Sequence, residues 1–175
     1  MARAEDKTVL VVDDEPNVRE YLAALLEDAG FNVITAADGE EGLNLIREKK
    51  PDFISLDLIM PRKSGHKLLF ELRKDRELSR IPVLIVTAHA QTDLGKHDLQ
   101  DILENSVMSG PGTYLEKPVD PRNYVRSIQR TLGVEVSQET SEKAGLRDEV
   151  EQSLRGATAD QLRSALAALK KAQRG

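Results

Sequence analysis

Five short apolar runs, each followed by a segment with a helical stripe, constrain this chain more than any other feature of its sequence. The runs lie at residues 8–12, 31–35, 53–56, 83–86 and 113–115. The first, Thr8-Val-Leu-Val-Val12, and the central ones are almost wholly apolar, as expected of strands covered on both faces. Between them the apolar residues recur at helical spacing. After Pro16, which suits a first helical turn, come Val18, Tyr21, Leu22, Leu25 and Leu26. Leu43 and Ile46 mark a second helix starting near Asp38, and Leu68, Leu69 and Leu72 a third within residues 64–74. Leu99, Ile102, Leu103 and Val107 mark a fourth, and Val125, Ile128 and Leu132 a fifth. Such alternation predicts an α/β fold: a doubly wound, five-stranded parallel sheet with helices on both sides, (βα)5 and flavodoxin-like.

In sheets of this kind ligands bind outside the carboxyl ends of the strands, at a topological switch point. The polar residues at those ends are Asp13 and Asp14, then Asp57, Thr87 and Lys117. Three neighbouring carboxylates repel one another unless one stays protonated or a cation lies between them. A hard divalent ion answers this, and Mg2+ favours few carboxylates together with water and phosphate oxygens. Lys117 adds a positive charge, and Thr87 a hydroxyl that can donate to an oxyanion. Together these groups suit phosphoryl transfer. The chain has no GxxxxGK[ST] loop, so the phosphoryl group is not expected to come from a nucleotide bound here. A carboxylate can itself be the nucleophile and form an acyl phosphate. Simpler roles stay open for each residue alone: Asp14 as a helix cap, Asp57 as a turn residue before Pro61 and Gly65, Thr87 as an ordinary strand end. His66, His89 and His97 show no ligand spacing with the acids.

Four motifs in order, VLVVDDEP (9–16), SLDLIMPRKSG (55–65), VLIVTAH (83–89) and TYLEKPVD (113–120), make residues 7–133 resemble the response-regulator receiver domains of two-component signalling. The resemblance implies that Asp57 is the phosphoacceptor. It implies Asp13 and Asp14 as the Mg2+-binding pair, with Asp14 the more direct ligand and the Ile59 carbonyl another. Thr87 corresponds to the switch hydroxyl, Lys117 to the phosphate-contacting lysine and Tyr114 to the aromatic switch residue. Pro118 would follow a cis peptide bond. The donor would be a phosphohistidine on a histidine kinase or phosphotransfer protein. The output would be phosphorylation-dependent binding of a downstream protein, which makes this a phosphoacceptor signalling domain rather than an enzyme. In the family, the residues two past the phosphoacceptor and two past the switch hydroxyl tune hydrolysis. Here they are Ile59 and His89, and Ile59 cannot hydrogen-bond an attacking water, which predicts a long-lived phosphoryl group.

Two features depart from the family. Thirty positions separate Thr87 from Lys117, several more than usual, with the excess in residues 91–112. This points to an altered partner surface or to a tolerated loop insertion. The second departure is the tail. A receiver is expected over residues 1–136, followed by a polar linker and helical extension over 137–175. In the tail Leu146, Val150 and Leu154 share one face, Thr158 with Gln161 reads as a capping box, and Leu162, Leu166 and Leu169 form a second stripe. Two short apolar faces make little core, so the tail is expected to dock on the receiver, pair with a second copy as a homodimer, or await a partner. A DNA-binding role for it is the alternative output. Its six acids against seven bases leave it near neutral, and the whole chain carries a net charge of -5, neither of which favours nucleic acid. The chain has no cysteine, which removes disulfides and thiolate chemistry. No apolar run approaches a membrane span, and a cytoplasmic location is expected.

Overall fold

A computed structural model of the 175-residue chain describes residues 2–87, 114–134, 146, 149–150 and 152–173. Five strands form one sheet: β1 (Thr8–Val12), β2 (Asn32–Ala36), β3 (Phe53–Leu56), β4 (Val83–Thr87) and β5 (Tyr114–Glu116). Every pairing is parallel, in the order β2-β1-β3-β4-β5. Helices α1 (Pro16–Asp28), α2 (Gly39–Lys49), α3 (Ser64–Lys74) and α4 (Pro121–Leu132) follow β1, β2, β3 and β5, and α5 (Ala159–Ala172) lies in the tail. The helix expected around Leu99 to Val107 and the linker at 137–142 lie outside the described residues. β2 and β5 each start one residue later than the apolar pattern predicts. Phe31 is buried without joining the ladder, because its amide closes the turn after α1 by bonding the Leu26 carbonyl at 3.0 Å.

Alternation of side chains along the strands divides the core into two layers. Leu10, Val12, Ile54 and Leu56 face one side, where Ile46 of α2 and Leu68, Leu69 and Leu72 of α3 cover them. Val9, Val11, Phe53, Leu84 and Val86 face the other, against Leu22, Leu25 and Leu26 of α1 and Tyr124, Val125 and Ile128 of α4. Strands buried on both faces need apolar residues at every position, which is why β1 and β3 read as continuous hydrophobic runs.

The helix starts are set locally. Pro16 and Pro121 occupy the first turns of α1 and α4. Asp38 caps α2 by accepting from the Glu41 amide at 2.9 Å, and Asp120 caps α4 through the Asn123 amide at 2.8 Å. Thr158 and Gln161 form the capping box expected of them at the start of α5. None of α5 is buried. At the other end of the chain, Ala2 forms a parallel bridge with Val134, just past α4.

The same substitution should therefore act very differently in the two parts of the chain. Leu10→Ala, at a fully buried position, is expected to cost about 2–5 kcal/mol in urea unfolding. Leu166→Ala, at a position 53% exposed, is expected to cost below about 1 kcal/mol.

Candidate functional site: a three-carboxylate cup at the carboxyl edge of the sheet

The strand order reverses between β1 and β3, so the sheet's switch point lies where these two strands end side by side. Val12 and Leu56 are register partners, and the next residues are Asp13 and Asp57. The ladder carries on past the strand ends: the Asp57 amide donates to the Val12 carbonyl at 2.9 Å, and the Asp13 amide to Ala36 at 3.2 Å. Both carboxylates are therefore held by sheet geometry rather than by a free loop. Asp13 and Asp57 are buried, at 1% and 4% exposure, and Asp14 is half-buried beside them. One oxygen from each of the three acids lies within 4.8 Å of the others.

Lys117 reaches into this cup from the end of β5. Its ammonium lies 2.8 Å from Asp13 Oδ2, 3.2 Å from Asp57 Oδ2 and 3.6 Å from Glu15 Oε1. It donates a hydrogen bond to Asp57, whereas its contact with Asp13 Oδ2 is an ion pair that leaves this buried oxygen without an aligned donor. The other oxygens are oriented by the backbone. Asp13 Oδ1 accepts from the Glu15 amide at 2.9 Å, and Asp57 Oδ1 from the Ile59 amide at 3.0 Å. Arg19 of α1 anchors the Asp13 carbonyl at 2.8 Å.

Burial is the largest influence on Asp57 and pushes its carboxyl up to about 6. The Asp13 charge adds to the rise, while Lys117 and the Ile59 amide oppose it. Burial also works against the Lys117 charge, but Asp13 and Asp57 outweigh it and hold the ammonium above the usual lysine value. Beneath the cup Tyr124 is fully buried near Ser55 and Asp13. Burial raises its phenol far above the ordinary range, so the hydroxyl stays protonated.

These residues fit a hard divalent cation. The donor set is all carboxylate oxygen, one buried oxygen lacks an aligned donor, and one Lys117 ammonium faces three acids and Glu15. The sequence-predicted acids and Lys117 are thus brought together. The Ile59 backbone lies directly after the Asp57 turn, and its side chain is 41% exposed. Thr87 ends β4 with Glu116 of β5 as its register partner, and Tyr114 begins β5 opposite Ile85. The Lys117–Pro118 peptide is cis, as expected. His89 and the lengthened stretch 91–112 lie outside the described residues. Glu15 was not singled out in the sequence, although it is the third acid in the Asp13-Asp14-Glu15 run. A groove of about 740 Å3 opens beside Lys117, walled by Glu15 and Tyr21 of the α1 region, by Val119, and by Gln152 and Arg155 of the tail.

Residues 9–129 match the model of the response regulator receiver domain. The chain belongs to the response regulator receiver domain family. Protein PilH of Pseudomonas aeruginosa is 38% identical over 127 residues, which cover 71% of this chain and 96% of PilH. The probable transcriptional regulator ycf27 of Guillardia theta is 37% identical over 124 residues, but the matched part is only 44% of that protein. Among solved structures, the chemotaxis protein CheY4 of Vibrio cholerae superposes with a TM-score of 0.60 at 29% identity, covering 74% of this chain and 98% of that one. This receiver is a two-component phosphoacceptor domain, and its signalling depends on phosphorylation. The agreement with PilH and CheY4 along almost their whole lengths does not favour DNA binding as the output. Among the described residues no helix is long and apolar enough to cross a membrane.

The raised Asp57 value has a consequence for stability in metal-free buffer. Between the unfolded value of 3.8 and about 6, the folded receiver binds more protons than the unfolded chain. Stability from this group therefore falls as pH rises through that window. At pH 7 without metal, Asp57→Asn is expected to be more stable than the parent, on the order of 1–3 kcal/mol, with the gap closing toward pH 4. Urea titrations across pH in a chelator check this, and a less stable variant at pH 7 would contradict it.

Proposed function

We propose that residues 1–136 act as a receiver that takes a phosphoryl group on Asp57 from a phosphohistidine, and that residues 137–175 are an appended segment. The observation that carries the reading is the Lys117 ammonium held 2.8 Å from Asp13 and 3.2 Å from Asp57 inside a cup of three carboxylates. Asp57 is the nucleophile. Its carboxylate oxygen attacks phosphorus, the P–N bond of the donor breaks as the P–O bond forms, and the leaving imidazole nitrogen takes up a proton. Asp57 must be ionised to do so, and the positive charge beside it favours that form. Bound Mg2+, held by Asp13, Asp14, Asp57 and the Ile59 carbonyl, would offset the charge on the transferring phosphoryl oxygens.

Lys117 holds the Asp57 oxygen before the reaction and contacts the phosphoryl group afterwards. Thr87, at the end of β4, donates its hydroxyl to a phosphoryl oxygen. Tyr114, across the β4–β5 ladder, carries that change to the surface. The groove beside Lys117 gives a donor protein access to the rim of the cup. The output is a shift in population toward a surface bound by a downstream protein. Phosphotransfer from a histidine kinase or phosphotransfer protein and action in the cytoplasm belong to the same reading.

Incubation with acetyl phosphate and Mg2+ is expected to add one phosphoryl group per chain by intact mass. The gain should vanish in Asp57→Asn and with chelator present. Modification that persists in Asp57→Asn would overturn the assignment. Ile59 offers no hydrogen bond to an attacking water, so the acyl phosphate is expected to be long-lived, and Ile59→Asn to shorten its half-life several-fold. A lifetime unchanged by that substitution would remove Ile59 from the account.

A further inference from the structure

Two glycines of the receiver stand where no side chain fits, and both contacts lead to the backbone of Asp57. Gly65 is the second residue of α3. A Cβ built on it would lie 2.5 Å from the Asp57 carbonyl oxygen, 2.8 Å from that of Leu58 and 3.0 Å from Leu58 Cα. Gly39 is the first residue of α2. Its Cβ would overlap the carbonyl oxygen of Ser64 and lie 2.6 Å from the carbonyl carbon. All these obstacles but one Ser64 methylene are backbone, which cannot rotate away as a side-chain tip can. The start of α2 therefore rests on the first residue of α3, and the second residue of α3 rests on the turn that carries the phosphoacceptor. That turn is the one whose Ile59 amide holds Asp57 Oδ1 at 3.0 Å. Asp14 lines the same cavity as Gly39 and Ser64, so the stack also borders the acid next to Asp57.

We infer that Gly39 and Gly65 are positioning residues for phosphoryl transfer: the stack Gly39–Ser64–Gly65 sets the height of the Asp57–Ile59 turn against Asp13, Asp14 and Lys117. The inference rests on the reading of Asp57 as phosphoacceptor. A methyl at Gly65 lifts the turn, and with it both the Asp57 carboxylate and the Ile59 carbonyl. A displacement approaching 1 Å at a reacting group costs on the order of 100-fold in rate. Gly42 provides the contrast. Its Cβ would meet Leu68 Cδ1 at 2.8 Å and Val12 Cγ2 at 3.2 Å, the movable ends of two side chains in the core. Gly42→Ala thus strains the packing between α2, α3 and β1 without touching the Asp57 turn.

The test compares the full chain with Gly65→Ala, Gly39→Ala and Gly42→Ala. It measures the rate of phosphorylation by acetyl phosphate, the half-saturating Mg2+ concentration and thermal unfolding. Gly65→Ala is expected to slow phosphorylation about 100-fold in the folded protein and to weaken Mg2+. Gly39→Ala, one contact further out, is expected to lose about 3- to 10-fold, and it carries the test if Gly65→Ala does not fold. Gly42→Ala should keep the parental rate and Mg2+ requirement even where its unfolding temperature drops as far. Folded Gly65→Ala or Gly39→Ala with parental rate and Mg2+ affinity would overturn the inference. So would a Gly42→Ala that loses rate in step with stability, or unfolding of both site variants, since each marks a purely structural requirement. If the parent chain takes no phosphoryl group on Asp57, the phosphoacceptor reading fails and this inference with it. Parental phosphorylation alongside unaffected glycine variants removes the inference alone.

Discussion

The site depends on a balance of charge that the sheet alone does not provide. Parallel strands β1 and β3 end side by side and carry Asp13 and Asp57 into a nearly water-free position. Burial there favours the neutral carboxyl, and the rise of Asp57 to about 6 records the cost. The single ammonium of Lys117 offsets part of it, and the backbone amides of Glu15 and Ile59 offset a little more. One cation against two buried acids, with Asp14 and Glu15 alongside, leaves negative charge uncompensated. That residue of charge is what gives the cup its affinity for a divalent ion, and an anion added to Asp57 must meet a counter-charge already waiting.

The location of the site was legible because the fold leaves few alternatives. A run such as Val9-Leu-Val-Val12 can only be a doubly covered strand, so whatever follows it must lie at the sheet's edge. Asp13, Asp57 and Lys117 could therefore be grouped before any coordinates. What escaped was whatever depends on distances between elements. Glu15 looked like the start of a helix, and only the reach of Lys117 brings it to the rim at 3.6 Å. Tyr124 read as one apolar helix position among several, and its burial under Asp13 follows from where α4 crosses the sheet. Gly39 and Gly65 are 26 positions apart (65 − 39), and their shared role exists only once α2 and α3 are packed together. The one-residue offsets at β2 and β5 have a related cause, since apolar character marks burial and the ladder begins where register allows.

The tail shows the reverse. Its local chemistry was readable to the residue, and Thr158 and Gln161 do form their reciprocal cap. Local signals start a helix but do not place it. A helix of about this length is marginal in water without tertiary cover, and α5 has Leu162, Leu166 and Leu169 all exposed. The receiver spends its apolar residues on two closed layers, whereas the tail keeps its own on the surface.

The bridge between Ala2 and Val134 has a mechanical side. The receiver's first and last residues leave from one spot, at the end of the sheet opposite the carboxylates. A pull applied through both ends would meet this single bridge first and peel it open before loading the ladders of β1 and β3. The same closeness makes the receiver an insertable module: it can be spliced into a loop of another protein, or have its ends joined and new ones cut elsewhere, without stretching the sheet that holds Asp57 in place.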